Sequence, residues 1–387
     1  MSARDDAVDV AWNPARDRAW RPQRGLEDQA RALHHALDCY AATPLHTAPS
    51  LAKDLGLGAV LLKDESSRFG LPAFKALGAW WAAAWAVADR LGEPALATDP
   101  DALRARARGV ALTLVCATEG NHGRAVARAA RGLGLAARVV VSDRTATTRV
   151  RAIEAEGARV ERLAGDYDAA VAHAAGLADD RHLVIADTSW PGYVDVPRRV
   201  VEGYTTIFVE LDAQLDGRAV DLVVVPIGVG SLAAAAARHF RATPGELPRL
   251  VGLEPIDSAC ALASARAGRP VTVAGQQSSI MAGLNCPTPS PDAWPLLAAA
   301  FDGFCAVGDE HVRRGMRRLA AEGLDRGGCA GGVIGGLGAL LGDQAHREAL
   351  NLPENATALL LLTEGVTDRA VFAAAVGREP TTSSARA

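Results

Sequence analysis

The feature that most constrains this chain is an alternation that runs from about residue 58 to residue 372. Short apolar runs rich in β-branched residues take turns with longer alanine-rich stretches. The runs are Val60–Lys63, Leu112–Ala117, Arg138–Ser142, Ala158–Leu163, Leu183–Asp187, Asp221–Pro226, Leu250–Glu254 and Ala358–Thr363. Most of them are continuously apolar and read as strands covered on both faces, since a half-exposed strand would alternate apolar with polar residues. Between them, Phe74–Leu91, Arg124–Leu133, Thr147–Glu156 and Ser231–Phe240 read as helices. Strand–helix alternation predicts a mostly parallel, doubly wound α/β architecture. Pro94–Gly109 is polar and arginine-rich and carries Asp99-Pro100, so it reads as a surface insertion. Residues after Gly377 lack apolar anchors and read as a loose tail.

A chain of 387 residues exceeds a usual single domain, which predicts two. Hydrophobic residues at 49% supply enough apolar mass for large cores. The net charge of −4 is spread without a basic block, which argues against nucleic acid as a partner, because phosphate binding needs clustered Lys and Arg. The apolar run Ala79–Ala88 is about half the length a membrane span needs, and Met1–Arg24 has no apolar signal core. A cytoplasmic protein is expected. The six cysteines show no Cys-x-x-Cys spacing and the nine histidines no ligand pattern, so neither a metal site nor a disulfide scaffold is expected.

In open α/β sheets ligands collect at the carboxyl ends of strands, and those ends are polar here. Leu112–Ala117 runs into Thr118-Glu119-Gly120-Asn121-His122-Gly123, and Leu183–Ala186 into Asp187. Asp221–Pro226 runs into Gly228-Val229-Gly230-Ser231-Leu232, and Ala358–Leu362 into Thr363-Glu364-Gly365. The Gly228–Leu232 turn could bring backbone N–H groups and a helix start to an anion, or be a tight turn alone. It lacks the Gly-Lys-[Ser/Thr] of a nucleotide loop and the spacing of a dinucleotide fingerprint. Lys75 stands in an apolar stretch, where desolvation disfavours the ammonium and favours a nucleophilic amine; a lysine that snorkels to water is the plainer alternative. Asn121 could donate to a phenolate or simply complete a turn. Asp187 and Glu119 stand where general bases are placed, or could cap helices. Trp190 and Tyr193 are read as packing.

The order of these features is more telling than any one of them. A lysine before the first long helix, a Gly-Asn-His-Gly loop, a glycine turn about 150 residues later and a polar strand end near the C-terminus resemble the fold-type II pyridoxal-phosphate enzymes, the tryptophan synthase β-like superfamily. Within it the chain is most similar to the diaminopropionate ammonia-lyase family. The likeness is carried by Lys63-Asp64-Glu65-Ser66-Ser67-Arg68-Phe69-Gly70-Leu71 running to Lys75, by Glu119–Arg124, and by Asp187-Thr188-Ser189-Trp190-Pro191-Gly192-Tyr193 with Val196-Pro197 and Glu202-Gly203-Tyr204. Met281-Ala282-Gly283-Leu284-Asn285-Cys286 and Thr363-Glu364-Gly365-Val366-Thr367-Asp368 complete it, over roughly residues 35–372.

The resemblance implies two doubly wound, mostly parallel sheet domains with the cofactor cleft between them. Residues 35–80 with 215–372 would form a large cofactor-binding domain and 81–214 a smaller α/β domain. Residues 1–34 would be an N-terminal extension and 373–387 a flexible tail. It implies pyridoxal 5′-phosphate as cofactor, a small amino acid as substrate and a cytoplasmic homodimer. Lys75 would carry the cofactor as a Schiff base, Asn121 would contact its 3′-oxygen, and Gly228, Val229, Gly230, Ser231 and Leu232 would cradle its phosphate. Thr363 would lie near the pyridine nitrogen. The implied reaction converts 2,3-diaminopropionate to pyruvate and ammonia, with Asp187 as base on the L-face and Glu119 on the D-face.

The chain departs from the family at two places. Glu119 replaces an aspartate, and one extra methylene displaces the carboxylate by about a bond length, where misplacement by about 1 Å can cost about 100-fold in rate. An L-preference is therefore expected. Where the family reads Gly-Glu-Ser-Gly-Ala, this chain reads Gly327-Gly328-Cys329-Ala330-Gly331, without the carboxylate. Cys260 and Cys286 align with a pair that is disulfide-bonded in some members; in a reducing cytosol free thiols are expected. A serine/threonine dehydratase, a β-replacement synthase and a non-catalytic binding homologue are the alternative readings.

Overall fold

A computed structural model describes residues 4–118, 120–165, 167–242 and 248–381, and every structural statement below concerns these residues. Glu119, read above as a candidate base, lies outside them. The strands, in chain order, are β1 (Val8–Trp12), β2 (Leu45–Thr47), β3 (Ala59–Asp64), β4 (Thr113–Ala117), β5 (Ala136–Ser142) and β6 (Arg159–Leu163). They continue with β7 (His182–Val184), β8 (Leu222–Pro226), β9 (Arg249–Pro255), β10 (Gly303–Val307) and β11 (Thr357–Leu362).

The chain divides into two units. The first comprises residues 1–23, 42–67 and 207–387, and the second residues 24–41 and 68–206. The first holds a seven-stranded sheet in the order β1-β10-β9-β8-β11-β3-β2. Its five inner strands are parallel, and β1 and β2 close the edges antiparallel. The second holds a four-stranded, wholly parallel sheet in the order β6-β5-β4-β7. Burial on both faces holds for the inner strands, with all five residues of β8 and the last five of β11 buried, whereas no residue of β6, an edge strand, is buried; β10, not read from the sequence, is buried throughout. Leu62, Val224, Val251, Leu360 and Leu362 of the first sheet share a core with Val333, Leu337 and Leu341 of the helix Gly328–Gly342.

Doubly wound sheets bind ligands where the strand order reverses. In the second unit the chain builds outward from β4 through β5 to β6, then returns to place β7 on the other side of β4. In the first, β8, β9 and β10 run one way and β11 and β3 lie on the other side of β8. The two reversals are thus β4/β7 and β8/β11. The polar segments singled out in the sequence leave these four strands.

Several boundaries differ from the sequence reading. Residues 24–41 and 68–80 belong to the second unit, and residues 1–23 to the first, where β1 is an edge strand rather than an extension. Pro94–Gly109 lies at the surface, with most of its residues exposed or half-exposed. It folds into the 3₁₀ turn Pro94–Thr98 and the helix Pro100–Ala107, with Ala97, Leu103 and Ala107 buried. The segment from 373 is ordered at least to residue 381: the helix Arg369–Val376 runs through it, and Arg378 and Thr381 are bound to Asp325.

Candidate active site

In the second unit Lys75 is the first residue of the helix Lys75–Arg90. Twelve of that helix's sixteen residues are buried, so its axis is held firmly and its first residue with it. The Lys75 amine lies 2.5 Å from Asp187 Oδ2, and its side chain is only 19% exposed. Asp187 lies three residues beyond β7. Its loop is fixed from within: Tyr193 donates its hydroxyl to the Val184 carbonyl at 2.6 Å and accepts from the Ala186 N–H at 3.1 Å. The Trp190 ring stacks on Tyr193 with centroids 4.0 Å apart. These two aromatics, assigned only packing from the sequence, are what holds the Asp187 loop in shape. Burial alone would raise the Asp187 pKa, but the charge of Lys75 and the hydrogen bond it donates outweigh it and hold the pKa at about 2.

The β4 loop meets Asp187 from the other side of the reversal. Thr118 Oγ1 accepts from the N–H groups of Gly120 (2.9 Å) and Gly123 (3.1 Å), which turns the chain from strand into helix. The helix then starts at Asn121 rather than at Arg124. Asn121 is therefore its first residue, half-buried, and His122 its second. A side chain at Gly123 would meet Thr118 Cγ2 at 2.4 Å, so the motif needs glycine there. His122, to which the sequence reading assigned no role, is buried; its Nε2 lies 2.8 Å from the Ile185 carbonyl and its Nδ1 4.0 Å from Asp187 Oδ2.

In the first unit the Gly228–Leu232 turn joins β8 to the helix Ser231–Phe240. Gly230 takes a left-handed φ of +101°, and a Cβ on it would meet Ala293 Cβ at 3.2 Å and Leu297 Cδ2 at 3.3 Å. The Val229 carbonyl accepts from the Ser290 N–H at 2.8 Å, and the Gly228 carbonyl from the Cys260 thiol at 3.6 Å. With these carbonyls engaged and a glycine as N-cap, no side chain caps the helix start. Val229, Ser231 and Leu232 are buried. Across the reversal Thr363 follows β11 and is buried, and the next residue, Glu364, accepts from the Cys329 N–H at 3.3 Å. At Gly328 a Cβ would lie 2.2 Å from the Ile280 carbonyl oxygen, so the position that departs from the family has no room for any side chain.

A second buried lysine competes for attention in this unit. Lys63 donates to the Thr43 carbonyl, Glu210 and Gln214 at 2.8, 2.8 and 2.9 Å. All three ammonium protons are engaged, so Lys63 is a structural cation.

The model of the family described as "Pyridoxal-phosphate dependent enzyme" matches residues 36–364. Diaminopropionate ammonia-lyase of Salmonella typhimurium is 34% identical over 360 residues, covering 88% of this chain and 89% of that protein. The chain belongs to the diaminopropionate ammonia-lyase family of pyridoxal-phosphate-dependent enzymes. The crystal structure of the Escherichia coli diaminopropionate ammonia-lyase in complex with D-serine matches at a TM-score of 0.88 and 30% identity, over 97% of this chain and 98% of that one. The same enzyme in complex with an aminoacrylate–PLP azomethine reaction intermediate matches at 0.85 and 29%, over the same shares.

The residues present suit the family's cofactor. An amine in an apolar setting heads a rigid helix, and a glycine turn whose carbonyls are engaged elsewhere leads into a helix start. Pyridoxal phosphate needs both, one for its aldehyde and one for its phosphate. Among the described residues no group of three or more His, Cys, Asp or Glu side chains could hold a metal ion. No helix of the described residues is long and apolar enough to cross a membrane.

Proposed function

We propose that the chain eliminates ammonia from L-2,3-diaminopropionate, giving pyruvate and ammonia, with Lys75 carrying the cofactor and Asp187 as the base. The observation that carries this reading is the 2.5 Å contact between Lys75 Nζ and Asp187 Oδ2. Pyridoxal phosphate supplies the electron sink that makes a Cα proton removable. On this reading Asp187 Oδ2 exchanges protons with the Lys75 amine, which lies 2.5 Å away, and takes the proton from substrate Cα. Beside the free Lys75 ammonium Asp187 is ionised, its pKa held down at about 2, and a base must start from that form. Asn121 would contact the 3′-oxygen, Gly228, Val229, Gly230, Ser231 and Leu232 would hold the phosphate, and Thr363 would face the pyridine nitrogen.

The L-preference rests on Asp187 keeping the residue associated with that face, while Glu119 carries one methylene more than its family counterpart. Pyruvate release from L- and D-2,3-diaminopropionate, L-serine and L-threonine tests the proposal. L-2,3-Diaminopropionate should be turned over fastest, and Asp187→Asn should lower its kcat at least about 100-fold, a typical contribution of a positioned base. Equal rates on both isomers would refute the assignment of bases, and no pyruvate from any of the four would refute the lyase reading. The proposal extends to a cytoplasmic homodimer, for which sedimentation should return twice the chain mass.

A further inference from the structure

His122 stands at the β4/β7 reversal, beside Asp187, and has no part in the reaction proposed above. Its imidazole is buried, with 4% of the side chain exposed. Nε2 faces the Ile185 carbonyl at 2.8 Å, and a carbonyl can only accept, so Nε2 must carry a proton. In the neutral ring Nδ1 is then a bare acceptor. That atom is fully buried and has no hydrogen-bond partner, and Asp187 Oδ2 lies 4.0 Å away. A buried acceptor without a partner costs free energy unless something makes use of it. What stands nearest is the oxygen that is to receive the substrate proton.

We propose that His122 is a positioning residue for that proton, so that Asp187 and His122 act as one base with two proton sites. The inference rests on the reading of Asp187 as the base. The substrate Cα–H bond breaks and its proton forms an O–H bond at Asp187 Oδ2. That O–H bond then breaks as Nδ1–H forms, once the gap has closed by about 1 Å to hydrogen-bond distance. The carboxylate is regenerated beside an imidazolium that Asp187 stabilises. The proton returns by the same path to the β-amino group, which departs as ammonia with the electron pair of its Cβ–N bond. The Cα–H pair becomes the new Cα=Cβ bond of 2-aminoacrylate, so atoms and charge balance without a co-reactant.

The electrostatics around the ring are consistent with this use. Burial and the Lys75 charge lower the His122 pKa from its ordinary value, and Asp187 opposes them, so the resting ring is neutral and able to accept. Cys116 and Tyr193, beside Asp187, and Tyr204, beside Lys75 and Asp187, are all raised by burial and stay uncharged. Arg124 and Arg128, on the helix of His122 itself, are committed to Glu156.

The test is His122→Gln, whose amide can still donate to the Ile185 carbonyl but has no Nδ1. With L-2,3-diaminopropionate the variant should lose at least about tenfold in kcat. The acid limb of its pH–rate profile should move down by at least about one unit, because the group that titrates there is gone. A merely structural residue would lower the plateau without moving the limb, and that outcome, like a wild-type profile, overturns the inference. Nitrogen-15 NMR of histidine-labelled wild-type protein tests it without any variant at position 122. His122 should show the Nε2–H tautomer, and its pKa should fall further in Asp187→Asn; a proton resting on Nδ1 overturns the inference. Full L-activity in Asp187→Asn would instead remove Asp187 as the base, and the role of His122 with it. An inactive Asp187→Asn beside a wild-type-like His122→Gln would remove His122 alone.

Discussion

Two lysines in apolar settings, Lys63 and Lys75, could each have been a nucleophile, and the choice between them turns on what surrounds each amine. Lys63 follows Leu61 and Leu62 in β3 as closely as Lys75 follows Ala73 and Phe74, but acids and serines come after Lys63 and apolar residues after Lys75. The partners come from far along the chain, Glu210 and Gln214 for one and Asp187 for the other, and no local pattern encodes them. Lys63 is wholly buried and shares its charge with Glu210, so removing either partner would strand an ion in a medium of low polarity. Borohydride reduction of the yellow holoenzyme, followed by peptide mapping, should therefore place the cofactor on the peptide containing Lys75. Lys63→Met should keep the visible absorbance while losing about 3 kcal/mol or more of stability. Label on Lys63 would overturn the assignment.

At the scale of elements, most inner strands were legible because burial on both faces writes itself as an uninterrupted apolar run. The edges of the seven-stranded sheet were not. β1 alternates as Val8-Asp9-Val10-Ala11-Trp12 within an acidic and arginine-rich segment, β2 is three residues long, and both pair on one side only. In Pro94–Gly109 the dipeptide Asp99-Pro100 counted only as a mark of a surface insertion, yet it is also a helix start. Asp99 accepts from the Ala102 N–H, and Pro100 takes the first helical position, where its missing N–H is not needed. Leu103 and Ala107, four apart, give that short helix its buried face. The glycine turn after β8 was legible as a turn, while its claim to bind an anion came from resemblance. Gly230→Val tests that claim. A β-branched residue at φ +101° is strained by about 1–3 kcal/mol and meets Ala293 and Leu297 as well. The turn should shift, the cofactor absorbance should be lost, and far-UV circular dichroism should stay near wild type. Full cofactor occupancy in this variant would mean that the turn only joins strand to helix.

At the scale of the whole molecule, domain boundaries were the least legible feature, because the chain passes between its units four times. The first unit is assembled from three segments and the second from two. Only the packing of each segment in the folded chain reveals where it belongs. The C-terminal segment shows the same thing. It lacks apolar anchors beyond Gly377, as the sequence says, but a buried charge anchors it instead. Asp325 accepts from Arg378 at 2.7 and 2.9 Å and from the Thr381 N–H and hydroxyl at 2.6 and 2.7 Å. The hydrogen bond from Arg378, more than the burial that opposes it, holds the Asp325 pKa down at about 2. A carboxylate whose pKa is lower folded than unfolded stabilises above its unfolded pKa of about 4, and that stabilisation is lost as pH falls toward its folded pKa. Asp325→Asn should therefore lower stability at pH 7 by about 1–2 kcal/mol, the exposure of Arg378 screening part of the effect. Urea unfolding of both proteins between pH 7 and pH 3 checks the sign. The wild-type advantage should stay constant down to about pH 5 and narrow below about pH 4. An advantage that persists unchanged at pH 3 would mean that Asp325 acts by shape and not by charge, and that the Arg378 contact contributes little.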